Sequence, residues 1–150
     1  MKTIQAAENE IIETFEALDT IDEKYAYLFQ LGESLPPLDH ALKTDDTLVK
    51  GCQSSLWFYL TQEGGRFSLG ADSDSLVIKG ISALLVKLIE GRTAQDILAI
   101  NMDFIDQINI WKLASDRNSG LMAMLEHIHA LARAQQDTKT SEGDRSLQED

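Results

Sequence analysis

The chain has 150 residues, of which 43% are hydrophobic, and its 25 acidic and 13 basic side chains give a formal net charge of −12. This length predicts one domain that buries about 70% of its unfolded surface on folding. Its scattered basic residues argue against a nucleic-acid partner, and its apolar runs fall short of the roughly 20 residues that cross a bilayer. Acidity of this kind keeps a protein soluble or steers it toward a basic partner.

Two helices are predicted at the start of the chain. In residues 3–18 the apolar side chains fall on one side of a helix; they are Ile4, Ile11, Phe15 and Leu18. Thr20 followed by Glu23 is typical of a capping box, so a second helix is predicted from there to about Gly32. The pair Pro36-Pro37 then prevents further helix.

A β-rich stretch follows. Strands are predicted at Leu48-Val49, at residues 56–60 and at residues 67–69, with a hairpin turn at Gly64-Gly65. The middle strand is apolar on both faces, so one face is expected to pack on helices and the other to meet a partner or the following helix.

The remainder of the chain is predicted to be mainly helical. Short oxygen-bearing side chains at residues 72–75 favour a helix start, and that helix is expected to end at Gly91. Shorter helices are predicted from Thr93 and over residues 102–108, and a last long helix from Ser115. The pattern predicts an α+β domain over residues 1–136, with about three antiparallel strands flanked by helices, and a disordered acidic tail over residues 137–150.

The candidate for chemistry is Cys52, the only cysteine of the chain. A single thiol cannot form an internal disulfide, but its thiolate can act as a nucleophile or carry a group. Gly51 before it permits a sharp turn or a close approach, and Gln53 and Ser54 after it are small or polar. A buried, inert cysteine is the competing interpretation, but such residues usually lie in apolar runs.

Several motifs in order resemble the SufE family of sulfur-acceptor proteins, which includes the CsdE type. They begin with Leu31-Gly32 and Leu35-Pro36-Pro37-Leu38, and continue through Gly51-Cys52-Gln53-Ser54 with Trp57. Further matches are Asp72-Ser73-Asp74-Ser75, Lys79-Gly80 and the stretch from Arg117 to Gly120-Leu121. The resemblance covers about residues 25–131 and implies a SufE/IscU-like fold.

The resemblance also implies a function. Cys52 would accept persulfide sulfur from a pyridoxal-phosphate (PLP)-dependent cysteine desulfurase of the SufS or CsdA type, stimulate that enzyme and pass sulfur toward an iron–sulfur cluster-assembly scaffold. The protein would be no enzyme itself, and PLP would belong to the partner, so no cofactor or metal of its own is expected. Glu8, Glu10 and Glu13 stand where a signal peptide has its apolar core, so a cytoplasmic location is expected.

The implied site surrounds Cys52. Gly51, Gln53, Ser54 and Trp57 would form its loop and pocket, whereas Asp74 and Arg117 would support it or contact the partner. A nearby cation or a set of backbone N–H donors would favour the thiolate. Lys50 is the nearest basic residue in the sequence, and Arg66 and Arg117 are candidates to approach through the fold. Asp72 and Asp74 are expected mainly to cap a helix. The mechanism predicted from these residues holds Cys52 against apolar cover and exposes it on docking, which would protect a persulfide.

Two other function classes compete. A cysteine-nucleophile enzyme, such as a thiol hydrolase, needs an oriented base, but His40, His127 and His129 lie outside the matching motifs. A cluster scaffold of the IscU type needs several thiolate ligands, and this chain has one. His127 and His129 are two apart in a predicted helix, so they face different directions and make poor metal co-ligands.

Overall fold

The computed structural model describes residues 2–50, 55–101, 103–108 and 122–135. Its elements in chain order are α1 (Ile4–Glu16), α2 (Ile21–Glu33), a 3-10 turn (His40–Leu42), β1 (Leu56–Glu63), β2 (Arg66–Ser73), α3 (Leu76–Ile89), α4 (Ala94–Leu98), α5 (Asp103–Gln107) and α6 (122–135). No helix among these residues is long and apolar enough to cross a membrane.

Threonine side chains cap the N-termini of three helices at the positions that the sequence predicted. Thr20 accepts a hydrogen bond from the amide of Glu23 at 3.1 Å and so caps α2. The Glu23 carboxylate accepts in return from the amide of Asp19, so the capping box reaches one residue further back than its usual form. Thr3 and Thr93 cap α1 and α4 in the same way. These caps confirm the predicted starts of all three helices.

β1 and β2 form an antiparallel hairpin with continuous register from Leu56 opposite Ser73 to Glu63 opposite Arg66. Gly64 and Gly65 close it with φ of 61° and 81°, a left-handed backbone that glycine adopts without strain. Side chains alternate across the two strands. The inner face is buried and includes Phe58, Leu60, Phe67, Leu69 and Ala71.

α3 is the central helix of the core. It carries a dense set of buried residues and packs against both α2 and β2. Its contact with α2 depends on two glycines, Gly32 and Gly80. A Cβ added to Gly80 would lie 2.4 Å from the carbonyl oxygen of Leu28, and one added to Gly32 would lie 3.1 Å from the amide nitrogen of Gly80. The two helices therefore approach more closely than any larger residue would allow.

The α+β class is confirmed, but the expected third strand is not fully formed. Among the described residues the sheet has two strands, and the predicted strand at Leu48-Val49 makes only an isolated bridge, from Leu48 to Trp57. β2 is longer than predicted because Asp72 and Ser73 continue its pairing with β1. The following helix therefore begins later, with Ser75 as its cap.

The last part of the chain is described only in α6. Met124, Leu125 and Ile128 are buried in the core, and Leu131 is half-buried. The predicted start of this helix at Ser115 lies outside the described residues. So does the predicted tail at 137–150, which leaves the proposed domain boundary a prediction.

Candidate functional site

The chain enters and leaves the tetrapeptide 51–54 along neighbouring antiparallel segments. The amide of Val49 donates to the carbonyl of Leu56 at 2.8 Å, and the amide of Phe58 donates to the carbonyl of Thr47 at 2.9 Å. Thr47 is itself buried, and its hydroxyl donates to the carbonyl of Leu42 at 2.6 Å. Both ends of the tetrapeptide that contains Cys52 are therefore held by a hydrogen-bonded framework.

Ser55, the first described residue after the tetrapeptide, is tied to the start of α3. Its amide donates to Oδ1 of Asp74 at 3.1 Å, and its carbonyl accepts from the Asp74 amide at 3.2 Å and from the Ser73 hydroxyl at 2.7 Å. The cap of α3 is Ser75, whose hydroxyl accepts from the Ile78 amide. The expectation that Asp72 and Asp74 cap this helix is wrong, because the backbone stays in the strand through Ser73 and Asp74 holds Ser55 instead.

A charged cluster lies beside this anchor on the outer face of the hairpin. Asp72 is opposite Trp57 in the register, and its carboxylate lies 2.9 Å from Nζ of Lys43 and 3.7 Å from Nζ of Lys79. The same Lys43 ammonium sits 4.9 Å from the centre of the Trp57 ring. Lys43 thus makes an ion pair and a cation–π contact at once, and the cluster fixes the half-buried Trp57 side chain.

The pKa of the Asp72 carboxyl lies below its ordinary value. Partial burial acts to raise this pKa, but hydrogen bonds from the Lys43 ammonium and the Ser73 amide, together with the charges of Lys43 and Lys79, outweigh that effect. The carboxylate is therefore ionised throughout the neutral range. Its role in the fold is to hold two cations next to the anchored end of β1.

As adjacent aromatic residues of the strand predicted at 56–60, Trp57 and Phe58 are both expected to pack in the core. Phe58 does so, because it is fully buried on the inner face of the hairpin. Trp57 does not, because its side chain alternates to the outer face and lies under Lys43. The other predicted role for Trp57, a wall of the Cys52 pocket, stays a prediction.

The predicted site residues Gly51, Cys52, Gln53, Ser54 and Arg117 lie outside the described residues, so their assigned roles stay predictions. Lys50 is described; it is exposed and immediately precedes the tetrapeptide.

Arg66 was expected to assist the thiolate, and that expectation is wrong. It lies at the turn end of the hairpin, opposite Glu63, and donates to the carbonyl of Gly91 at 2.9 Å. Seven residue steps along β2 separate it from Ser73, a distance of roughly 23 Å. Lys43 and Lys79 lie at the end of the hairpin next to the cysteine segment, and the sequence analysis did not identify them as site residues. The only signal for Lys79 was its place in the Lys79-Gly80 motif.

The histidines contribute no metal site among the described residues, where no group of potential metal ligands was found. His127 lies beside Phe58, with ring centres 6.3 Å apart, and burial lowers its pKa. The Nε2 atoms of His127 and His129 are buried and have no hydrogen-bond partner among the described residues. His40 is exposed in the 3-10 turn.

The chain matches a known protein family over most of its length. A family model described as SufE, an Fe–S metabolism associated domain, matches residues 9–132. This chain belongs to the SufE family. The match reaches from α1 to α6 and takes in every element between them, and the motifs quoted above fall within it.

Curated SufE relatives agree with this assignment. The chain is 34% identical over 144 residues to SufE-like protein 1, chloroplastic/mitochondrial, of Arabidopsis thaliana, and the match covers 91% of this chain but only 39% of that protein. It is 28% identical over 138 residues to an uncharacterised SufE-like protein of Rhizobium etli, covering 88% and 93% of the two chains. The chain thus spans well under half of the plant relative and nearly all of the bacterial one.

A solved structure shows the same fold. The solution structure of a hypothetical protein from Thermus thermophilus superposes with a TM-score of 0.71 at 21% identity, covering 85% of this chain and 94% of the other. This likeness supports the α+β architecture of the SufE domain and carries no further argument about its chemistry.

Proposed function

We propose that this SufE-family protein is a sulfur carrier in iron–sulfur metabolism. Cys52 accepts sulfane sulfur from a PLP-dependent cysteine desulfurase, and the loaded protein passes it to a cluster-assembly scaffold. The observation that carries the proposal is the framework around residues 51–54. The pairing of residues 47–49 with β1 and the attachment of Ser55 to Asp74 fix both ends of a short segment whose only reactive side chain is a thiol.

The transfer is a thiol–persulfide exchange. The Cys52 thiol first loses its proton, and the thiolate attacks the outer sulfur of the donor's cysteine persulfide. A new S–S bond forms at Cys52 while the donor's S–S bond breaks, and the donor cysteine leaves as a thiolate. Nothing is oxidised or reduced overall, because one sulfane sulfur moves from one thiol to another. In the second step, a thiolate of the acceptor protein attacks the outer sulfur of the Cys52 persulfide, and Cys52 leaves as a thiolate.

The charges near the anchored segment support this chemistry. Lys50 is exposed and immediately precedes the tetrapeptide 51–54. Lys43 and Lys79 pair with Asp72, near the start of β1 that follows the tetrapeptide. Cations near a thiol favour its ionised form. Asp72 neutralises part of that charge, so Lys50 is the strongest candidate for direct assistance.

The hydrolase alternative gains no support from the described histidines. His127 faces the inner side of the hairpin, where it contacts Phe58, whereas Trp57 and the charged cluster lie on the outer side.

Intact-mass spectrometry tests the proposal. The protein is mixed with a cysteine desulfurase and cysteine, and we expect a gain of about 32 Da, the mass of one sulfur held as a persulfide. A reducing thiol should remove it, and a Cys52→Ser variant should never acquire it. A Ser34→Ala variant, changed at an exposed position outside the proposed site, keeps the thiol and is the control. A protein that gains no mass while active desulfurases of several types turn over would rule out the carrier role.

A further inference from the structure

A cavity of about 350 Å³ lies between α1 and α3, away from the cysteine segment. Its volume falls in the range of small-molecule binding sites. Its apolar wall includes the buried side chains of Phe15, Leu84 and Leu88, with Tyr27 packed edge-on against Phe15 at 5.3 Å between ring centres. These four residues belong to three different helices, so the cavity is a product of the tertiary packing.

A buried arginine lines the same cavity. Arg92 is only 7% exposed, its Nε donates to the carbonyl of Leu88 at 3.2 Å and its Nη1 donates to the carbonyl of Lys2. Its backbone is fixed as well, because the carbonyl of Arg92 accepts from the amide of Phe67 at 2.8 Å. The guanidinium is therefore held rigidly, with N–H groups left over after these two contacts.

This buried charge has no anionic partner in the described part of the chain. Three cations and two acids line the cavity, which makes it net positive in a chain whose net charge is −12. Glu10 is paired with Lys2, and Glu90 accepts from the Ser68 hydroxyl at 3.1 Å. No carboxylate among the described residues lies within ion-pair distance of Arg92 or of the exposed Lys87. Burying an arginine without a counter-charge is costly.

We propose that this cavity binds a small amphipathic carboxylate. Its carboxylate group accepts hydrogen bonds from the Arg92 N–H groups that are left after the contacts with the Leu88 and Lys2 carbonyls. Its apolar chain lies along Phe15, Leu84 and Leu88, and Lys87 at the rim adds a second positive charge. The site is independent of Cys52 and of the proposed sulfur transfer.

Titration of the whole chain with octanoate, followed by amide chemical shifts, tests the site. We expect saturable shifts confined to α1, the part of α2 around Tyr27, and the end of α3 through Arg92. Octanol keeps the alkyl chain but not the charge, and it should bind at least about tenfold more weakly, since a hydrogen bond to a charged group contributes roughly that factor. Acetate keeps the charge but lacks the alkyl chain that packs on Phe15, Leu84 and Leu88, so it should also bind at least about tenfold more weakly.

Variants locate the ligand. Arg92→Gln should weaken octanoate binding about tenfold or more, whereas Arg133→Gln, an equal loss of charge at an exposed position of α6, should leave it unchanged. If Arg92→Gln does not fold, Ala7→Phe decides, because it fills the cavity wall and leaves Arg92 in place. Equal affinity for octanol, shifts centred elsewhere, or wild-type affinity in Ala7→Phe would overturn the proposal.

Discussion

At the scale of single residues, Asp72 organises the outer face beside the cysteine segment. It pairs with Lys43 and Lys79, and Lys43 in turn covers Trp57. The Asp72 side chain is 15% exposed, so these contacts are shielded from solvent more than ordinary surface ion pairs, which contribute little. One partly buried carboxylate thus connects β2, α3 and the segment before β1.

Replacing Asp72 with Asn should lower the free energy of unfolding by about 1 kcal/mol near neutral pH. Because the pKa of Asp72 is lower in the folded protein than in the unfolded chain, its stabilisation is fully present above the ordinary aspartate pKa of about 3.9. It is lost as the pH falls through the folded-state pKa. The difference between wild type and variant should therefore shrink on acidification.

Urea unfolding at several pH values between about 7 and 2 measures this difference. Asp46→Asn removes an equal charge at an exposed position nearby and serves as the control. A difference between Asp72→Asn and wild type that stays constant across the whole pH range would contradict the account of the cluster.

Asp74 has a different task, which is to hold the residue that follows the cysteine segment. In Asp74→Ala the Ser55 amide loses its acceptor, so its hydrogen exchange should become about tenfold faster, as expected from a loss of roughly 1.4 kcal/mol. Asp74→Asn keeps an oxygen acceptor, so the exchange rate of the Ser55 amide in this variant should lie between those of wild type and Asp74→Ala. Unchanged exchange at Ser55 in Asp74→Ala would show that the side chain does not anchor it.

At the scale of elements, the close crossing of α2 and α3 places Lys79 and the start of α3 against the hairpin. Gly80→Ala should destabilise the fold by about 2–3 kcal/mol, because the new Cβ meets backbone and side-chain atoms of Leu28 at 2.4 and 2.5 Å. The better helix propensity of alanine offsets at most about 1 kcal/mol of this.

A graded glycine series checks the prediction by thermal or urea unfolding. Gly32→Ala meets backbone atoms at 3.1–3.4 Å and should cost less than Gly80→Ala. Gly70→Ala meets mainly the end of the Leu38 side chain at 3.2 Å, which can move, so it should cost least. A Gly80→Ala variant as stable as Gly70→Ala would mean that the helices do not cross as described.

The helices were predictable from the sequence because their signals are local. Thr20 with Glu23, and Thr93 with Asp96, identify helix starts within a few residues. Apolar spacing in turn identified the side of α1 that carries the buried Phe15. The end of β2 was not predictable, since Asp72 and Ser73 favour a helix start locally and are kept in the strand by pairing with Trp57 and Leu56.

The candidate site was predictable only in part, and for the same reason. Cys52 and its neighbours are contiguous in the chain, so a motif reveals them. Lys43 reaches Trp57 only because residues 47–49 pair with β1 and return the preceding segment to the sheet. Arg66 is close to Trp57 in the sequence, but the extended hairpin carries it to the opposite end. Closeness in the sequence therefore did not predict closeness in the fold for Arg66, because an extended strand separates its ends.

At the scale of the whole molecule, the SufE fold presents two separate features. A core built on α3 and the inner face of the hairpin supports the anchored segment at one end of the sheet, while the cavity between α1 and α3 holds the buried charge of Arg92. For the first feature we propose that Cys52 carries the sulfur atom that is transferred.

Peptide mapping after desulfurase treatment tests that claim most directly. Trypsin cleaves after Lys50 and Arg66, so residues 51–66 form one peptide that contains the only thiol of the chain. After alkylation, we expect this peptide in a form that is heavier by one sulfur, about 32 Da, only when desulfurase and cysteine are both present. Recovery of the peptide solely as the alkylated thiol, while the desulfurase consumes cysteine in the same tube, would contradict it.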